Sequence, residues 1–343
     1  MVMSDKVGIP RALFYHTYYP LWRAFFGELG VETIVSPETN KEILNEGIKH
    51  VVDETCLPVK VFFGHIAELN KAGVDYLFVP RMVSVEKKAY ICPKFMGLPD
   101  MLRASKLAHL ALIMPVINLV KAAQAEEQFI LESAAPFTGN RRLIKKAWRV
   151  ALQEQQGHEE NLRRKALAVN ADSGSAVRRK ITESGWKNDD LTILLLGHDY
   201  NVYDRYVNMG IMEKLRHLGC QVVTSALLSR EERELRLKQF PRSVFWTYGR
   251  NLMGAVFRFF DYAGKKGVII LSSFGCGIDS FIDHFIMRRL AAQKIPYLNV
   301  VLDEHTGEGG LNTRLEAFID IIQWRRDYHQ SYISTYGQHV GRS

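Results

Sequence analysis

The chain has 343 residues, 47% of them hydrophobic and 24% charged, with a formal net charge of +8. That length fits two packed domains better than one. No apolar run approaches the roughly 20 residues of a membrane span, Met1-Val-Met-Ser-Asp-Lys6 does not read as a signal peptide, and free thiols in a chain this long point to a reducing compartment, by default the cytoplasm.

The first half alternates strands and helices. Lys6–Leu13 reads as a strand. Tyr19–Leu29 is a helix, with Leu21, Trp22, Phe25, Phe26 and Leu29 at helical spacing and Gly30 as its stop. Val31–Ser36 is a strand and Asn40–Val52 a helix. Cys56 and Pro58 open another helix through Leu69, and Asp75–Val79 returns as a strand. Cys92 falls in a loop, Leu98–Ala104 in a helix and His109–Leu119 in a strand. The second half repeats the plan: strands at Leu191–Leu196, Cys220–Thr224, Gly267–Ser272 and Tyr297–Leu302, and helices at Tyr206–Leu218, Val244–Ala263, Gly277–Gln293 and Thr306–Trp324. Such alternation predicts an α/β protein with two Rossmann-like domains, each a parallel sheet covered by helices. The expected division is 1–120, a charged helical connector at 121–190 with a turn signal at Asn170–Ser175, a second domain at 191–325, and a tail at 326–343.

Gly27-Glu-Leu-Gly30-Val31-Glu-Thr-Ile-Val-Ser36 matches Arg216-His-Leu-Gly219-Cys220-Gln-Val-Val-Thr-Ser225, so the halves read as copies of one unit. Cys220 then takes the place of Val31 at the start of a buried strand and acts as a small hydrophobe. The other three cysteines are differently set, in Glu54-Thr-Cys56-Leu-Pro58, Tyr90-Ile-Cys92-Pro-Lys94 and Phe274-Gly-Cys276-Gly-Ile278, all turn-like and at strand or helix ends. No C-x-x-C pair exists, which argues against a zinc ribbon or a thioredoxin-type redox pair. Single thiolates that converge in space suit an iron–sulfur cluster with one open corner; the plainer alternative is three unrelated buried thiols. Gly275 and Gly277 would let backbone N–H groups approach such a cluster.

Basic residues crowd the middle and the tail: Arg141, Arg142, Lys145, Lys146, Arg149, Arg163, Arg164, Lys165, Arg178, Arg179, Lys180, Arg325, Arg326 and Arg342. With only Trp148 among them, nucleic-acid binding is not indicated. A solvated helix face is the plain reading, and a docking face for an acidic partner or the phosphates of coenzyme A the functional one. Gly275-x-Gly277-x-x-Ser280, with Asp303 ending the next strand, imitates a dinucleotide fingerprint whose third glycine has become serine. Asp303-Glu304-His305-Thr306-Gly307-Glu308 places Glu304, His305 and Glu308 at a strand end, where they could transfer protons or, with Thr306, simply cap a helix. The loop Gly197-His198-Asp199-Tyr200 and its counterpart around Arg11, Tyr15 and His16 are candidate linings for a cleft or a packed interface. No G-x-x-x-x-G-K-[ST] loop is present.

The stretches VGIPRALFYHTYYPLWRAFFGELG (7–30), DETCLPVKVFFGHIAEL (53–69), YICPKFMGLPDM (90–101), GHDYNVYDRYVNMGI (197–211), SSFGCGID (272–279) and LDEHTGEGGLNTRLEAFIDII (302–322) resemble the acyl-CoA dehydratase activase-related family. That family is similar to the iron–sulfur subunits of 2-hydroxyacyl-CoA dehydratases and to benzoyl-CoA-reductase-like and double-cubane-cluster proteins. The resemblance covers nearly the whole chain outside 120–190 and the tail. It implies a 4Fe-4S cluster on Cys56, Cys92 and Cys276, a separate ATP-hydrolysing activator protein that delivers electrons, a possible second cluster-bearing subunit and a possible acyl-CoA ligand. It supplies no substrate. The rival reading is a non-catalytic electron-transfer or scaffold subunit.

Overall fold

The computed structural model describes residues 5–107, 109–120, 124–168, 191–240 and 243–324. The turn signal at 170–175, Arg178, Arg179, Lys180 and the basic tail lie outside these residues. The chain forms two compact units, one made of Met1–Glu159 with Val244–Tyr248 and the other of Glu160–Ser243 with Gly249–Ser343.

The first unit runs β1 (Lys6–Ile9), α1 (Tyr15–Glu28), β2 (Glu32–Val35), α2 (Lys41–Ile48), α3 (Leu57–Lys71), β3 (Tyr76–Phe78), β4 (Arg81–Ser84), α4 (Pro93–Met96), α5 (Leu98–Ala104), β5 (Ala111–Ile113), β6 (Val116–Asn118) and α6 (Ala125–Ala134). The long helix α7 (Arg141–Ala168) follows and crosses the boundary between units. The second unit continues with β7 (Thr192–Gly197), α8 (Asp199–Val202), α9 (Ile211–His217), β8 (Gln221–Thr224), α10 (Arg230–Leu237), α11 (Thr247–Phe260), β9 (Lys266–Ser273), α12 (Gly277–Ala292), β10 (Tyr297–Leu302) and α13 (Glu308–Trp324).

Each unit has one four-stranded, wholly parallel sheet, β2-β1-β3-β5 in the first and β8-β7-β9-β10 in the second. Both orders are 2-1-3-4 in strand sequence, so the internal repeat read from Gly30 and Gly219 is a repeat of topology. Those two glycines end α1 and α9 in the left-handed region, at φ 77° and 76°. In each copy the next residue's N–H, on Val31 or Cys220, closes back onto the helix at Phe26 or Leu215. In such sheets the crevice forms where the strand order reverses, between β1 and β3 and between β7 and β9.

Several expected elements differ: the first strand ends at Ile9 rather than Leu13, the first helix begins at Tyr15 rather than Tyr19, the second helix ends at Ile48 rather than Val52, and α10 was not expected. Three further differences have a plain cause. The strand expected over His109–Leu119 is two strands in different sheets, because β3 and β5 each step out at a proline, Pro80 and Pro115, which has no N–H for the ladder. The steps rebuild a small parallel pair, β4 with β6. The helix expected from Tyr206 starts only at Ile211, after Met209 and Gly210 take positive φ. The helix expected from Val244 starts at Thr247, because Phe245 and Thr247, which belong to the first unit, are bonded through their backbones to Tyr90 of the same unit.

Helices α2 and α3 form a tight antiparallel hairpin: Gly47 lies on the Lys60 carbonyl and Gly64 on the Ile43 carbonyl, with no space for a Cβ at either. The basic helix α7 buries Ile144, Ala147 and Ala151, and exposes Arg141, Arg142, Lys145, Lys146 and Arg149. Lys145 and Lys146 pair with Glu127 and Glu28. Exposure of this kind fits a solvated face and a docking face alike. Among the described residues, no helix is long and apolar enough to cross a membrane.

Candidate functional site

Cys56, Cys92 and Cys276 are the N-cap residues of α3, α4 and α12. Proline in the first turn, Pro58 and Pro93, fixes two of these starts at no cost in hydrogen bonds, since those N–H groups have no helical partner. At the third, Gly275 turns the chain with φ 75°, and the Asp279 N–H donates to Cys276 Sγ at 3.5 Å. N-terminal N–H groups of a helix stabilise negative charge, most at the full-length helices α3 and α12 and least at the four-residue α4. Cys220 lies instead just before β8, 5% exposed, and burial pushes its thiol up to about 11. Within the first unit the Cys56 and Cys92 turns are tied together, as Lys94 Nζ donates to the Glu54 carbonyl at 3.1 Å.

In the second unit Cys276 sits over a buried polar network. His198, just after β7, and Cys276, just after β9, flank the point where strand order reverses. His198 Nε2 and Asp279 Oδ1 are 2.5 Å apart, and both side chains are 3% exposed. The Ser273 N–H reaches Asp279 Oδ2 at 3.3 Å, and Ser273 Oγ donates to Asn201 Oδ1 at 3.0 Å. One helical turn on, Asp283 accepts from Ser272 Oγ, which also lies 3.4 Å from Asn299 Oδ1. Burial opposes charge on His198, but Asp279 outweighs it and raises its pKa. Asp283 is pushed up to about 7 by burial and then by the charge of Asp279. One donor atom each from His198, Cys276 and Asp279 lies within 4.8 Å of the others.

The matching edge of the first unit is built differently. His65 on α3 is fully buried, with Nδ1 2.9 Å from Ser36 Oγ and Nε2 3.0 Å from Thr39 Oγ1. Burial, then the charges of His16 and Arg11, push it down to about 3, so it is neutral. His16 is held down to about 4 for the same first reason. Arg11 reaches the Ser36 carbonyl through Nε at 3.2 Å and lies over the Tyr15 ring at 5.5 Å.

The 303–308 loop is closed mostly on itself. Asp303 Oδ1 accepts from the His305 N–H at 2.7 Å and from Thr306 Oγ1 at 3.1 Å, and Glu308 pairs with Lys214 at 2.5 Å. The glycines Gly275 and Gly277 lie in the turn after the third strand, β9, whereas a dinucleotide fingerprint follows the first strand of its unit. Sequence reasoning missed Asp279, Asp283 and His65. The signal for the first two was available: Asp279-x-x-x-Asp283 places two carboxylates on one helix face directly after Cys276. Nothing marked His65 apart from an apolar helix around it.

Comparison with known proteins adds a family. Residues 6–228 match the model described as the CoA enzyme activase uncharacterised domain (DUF2229). A search of curated proteins gives no match. Among solved structures, the C-terminal domain of glucosamine-fructose-6-phosphate aminotransferase from Francisella tularensis aligns at 9% identity over 93% of this chain and 85% of that one, with a TM-score of 0.22. A candidate phosphosugar isomerase from Silicibacter pomeroyi aligns at 10% identity over 93% and 85%, with a TM-score of 0.21. Likenesses that weak carry no argument about fold or activity. The family match spans well over half of the 343 residues, and the chain belongs to the CoA enzyme activase uncharacterised domain family.

Proposed function

We propose that the chain is a 4Fe-4S protein of an ATP-dependent, low-potential electron-transfer system similar to 2-hydroxyacyl-CoA dehydratase and reductase components, with Cys56, Cys92 and Cys276 as ligands. One observation carries the reading: these three thiols are helix N-caps and Cys220 is not. Clusters bind thiolates, and N-cap positions favour thiolates, so the residues fit the group. When bound, such a cluster supplies one-electron transfer and, with three protein ligands, an open iron. The chain's own residues do the rest. The ends of α3, α4 and α12 offset the negative charge of the sulfurs, and the Asp279 N–H orients Cys276 Sγ. His305 and Glu304, beside the self-closed Asp303 turn, are the groups proposed to move a proton. Glu308, held by Lys214, serves to fix the start of α13.

The proposed partners are an ATP-hydrolysing activator protein, supported by the CoA enzyme activase description of the family, a second cluster-bearing subunit, and an acyl-CoA ligand. The exposed arginines of α7 offer a docking face whose attraction fades as salt rises.

The test is anaerobic purification with iron and sulfide analysis and electron paramagnetic resonance. About four irons and four sulfides per chain are expected, lost in Cys56→Ser, Cys92→Ser or Cys276→Ser and retained in Cys220→Ala. Iron content indifferent to all three serine variants would end the cluster reading. ATP-driven reduction only with added activator is expected, and turnover of an acyl-CoA by the reduced protein separates an enzyme from a non-catalytic electron carrier.

A further inference from the structure

We propose that His198, Cys276 and Asp279 form a one-metal site within the second unit when Cys276 is not held by a cluster, suited to a borderline-soft divalent cation such as Zn2+. One donor atom from each lies within 4.8 Å of the other two, and among the described residues no other set of three or more His, Cys, Asp or Glu side chains is grouped this way. Imidazole nitrogen, thiolate sulfur and carboxylate oxygen are the three ligand types that zinc takes. The donors come from both sides of the sheet's reversal point: His198 follows β7, while Cys276 and Asp279 open α12 after β9. His198 and Asp279 are buried and Cys276 is half-buried, so the set is held by the core and reached from the turn.

The spacing is close to what the ion requires. Tetrahedral bonds of about 2.0–2.3 Å set ligand atoms roughly 3.3–3.7 Å apart. The site reaches that spacing if the sulfur moves inward and the 2.5 Å contact between His198 Nε2 and Asp279 Oδ1 opens. Binding exchanges that hydrogen bond and the Cys276 S–H for three metal bonds, with the protons released to solvent. Outer contacts are already in place: the Ser273 N–H on Asp279 Oδ2 at 3.3 Å and the Asp279 N–H on Cys276 Sγ at 3.5 Å. Three protein ligands leave a fourth position for water or a substrate oxygen, the arrangement of zinc sites that act as Lewis acids. The site shares Cys276 with the proposed cluster but needs neither Cys56 nor Cys92, which separates the two ideas.

The full chain is purified anaerobically, stripped with a chelator and titrated with Co2+, whose bond to a thiolate gives a charge-transfer band, with Zn2+ as competitor. One Co2+ per chain is expected. The band should vanish in Cys276→Ser, and affinity should fall by more than about tenfold in His198→Gln and Asp279→Asn. Binding should be unchanged in the double variant Cys56→Ser/Cys92→Ser. Circular dichroism checks folding, and Cys276→Ser, in a half-buried turn, decides the matter if either buried variant fails to fold. Absence of Co2+ binding by the stripped chain, or a band lost in the double variant, overturns the one-metal site. Iron and sulfide content of the untreated protein is read separately, so a failed cluster and a failed one-metal site give different results.

Discussion

In the first unit the buried histidine, His65, lies between two hydroxyls, while in the second His198 lies against a carboxylate with a further buried acid, Asp283, one turn away. The two sheets share a strand order, so topology does not explain the contrast. It follows from how α3, which carries His65, and α12, which carries Asp279, are fixed in their units. Cys56 heads a helix located by steric contact, glycine against backbone, in the α2–α3 hairpin. Cys276 heads a helix located by hydrogen bonds among Ser272, Ser273, Asp279 and Asp283. Apolar contact tolerates a neutral histidine, whereas a polar network can keep charge only if that charge is paired. One topology therefore presents two electrically different edges.

The steric half of the contrast is the easiest to break. In Gly64→Ala the added methyl meets the Ile43 carbonyl, which is backbone and cannot rotate away. Forcing α2 from α3 should cost about 3–4 kcal/mol, near the upper end for overpacking. In Gly277→Ala an added Cβ meets no atom within 4 Å, so stability should stay within about 0.5 kcal/mol. Urea midpoints of the two variants measure the difference. Equal costs would mean that the hairpin contact is not what holds α3.

The neutrality of His65 predicts a pH effect of about half that size. Its folded pKa, about 3, lies below the unfolded value of about 6.5. Between those values the unfolded chain takes up a proton that the folded chain refuses, so stability is full above pH 6.5 and is lost as pH falls. The slope approaches about 1.4 kcal/mol per unit, giving about 2 kcal/mol between pH 7 and pH 5. His65→Gln should flatten the dependence by that amount in urea denaturation across this range. A variant as acid-sensitive as the parent would show that His65 is not the group responsible.

How much of this was legible depended on whether the cause was local. The paired sheets were readable, since apolar runs and the Gly30 and Gly219 stops are local signals. So was the setting of Cys56 and Cys276, because Pro58 and Gly275 mark helix starts in the chain itself; Cys92 was expected in a loop, and the short helix that Pro93 opens was not read. The split of β5 from β6 was not read, although Pro115 stood in the middle of the expected strand. The pairing of His198 with Asp279 could not be read, because it joins residues 81 apart that only the β7–β9 pairing brings together. The glycine contact of α2 with α3 was hidden for the same reason: a glycine inside a helix looks like a weakness until the partner helix is known.

The smallest expected effect tests the repeat itself. Val31 and Cys220 hold equivalent places, each following a left-handed glycine and each nearly buried, at 6% and 5% exposure. If they are equivalent, Val31→Ala and Cys220→Ala remove similar apolar volume from similar surroundings and should each cost about 1 kcal/mol. The thiol of Cys220 adds little, since its hydrogen bond to the Leu218 carbonyl is long at 3.9 Å and burial holds it protonated. Thermal unfolding of both variants, with iron content measured alongside, checks the equivalence. A Cys220→Ala variant that loses much more stability than Val31→Ala, or that loses iron, would show that the second unit uses this position for something the first does not.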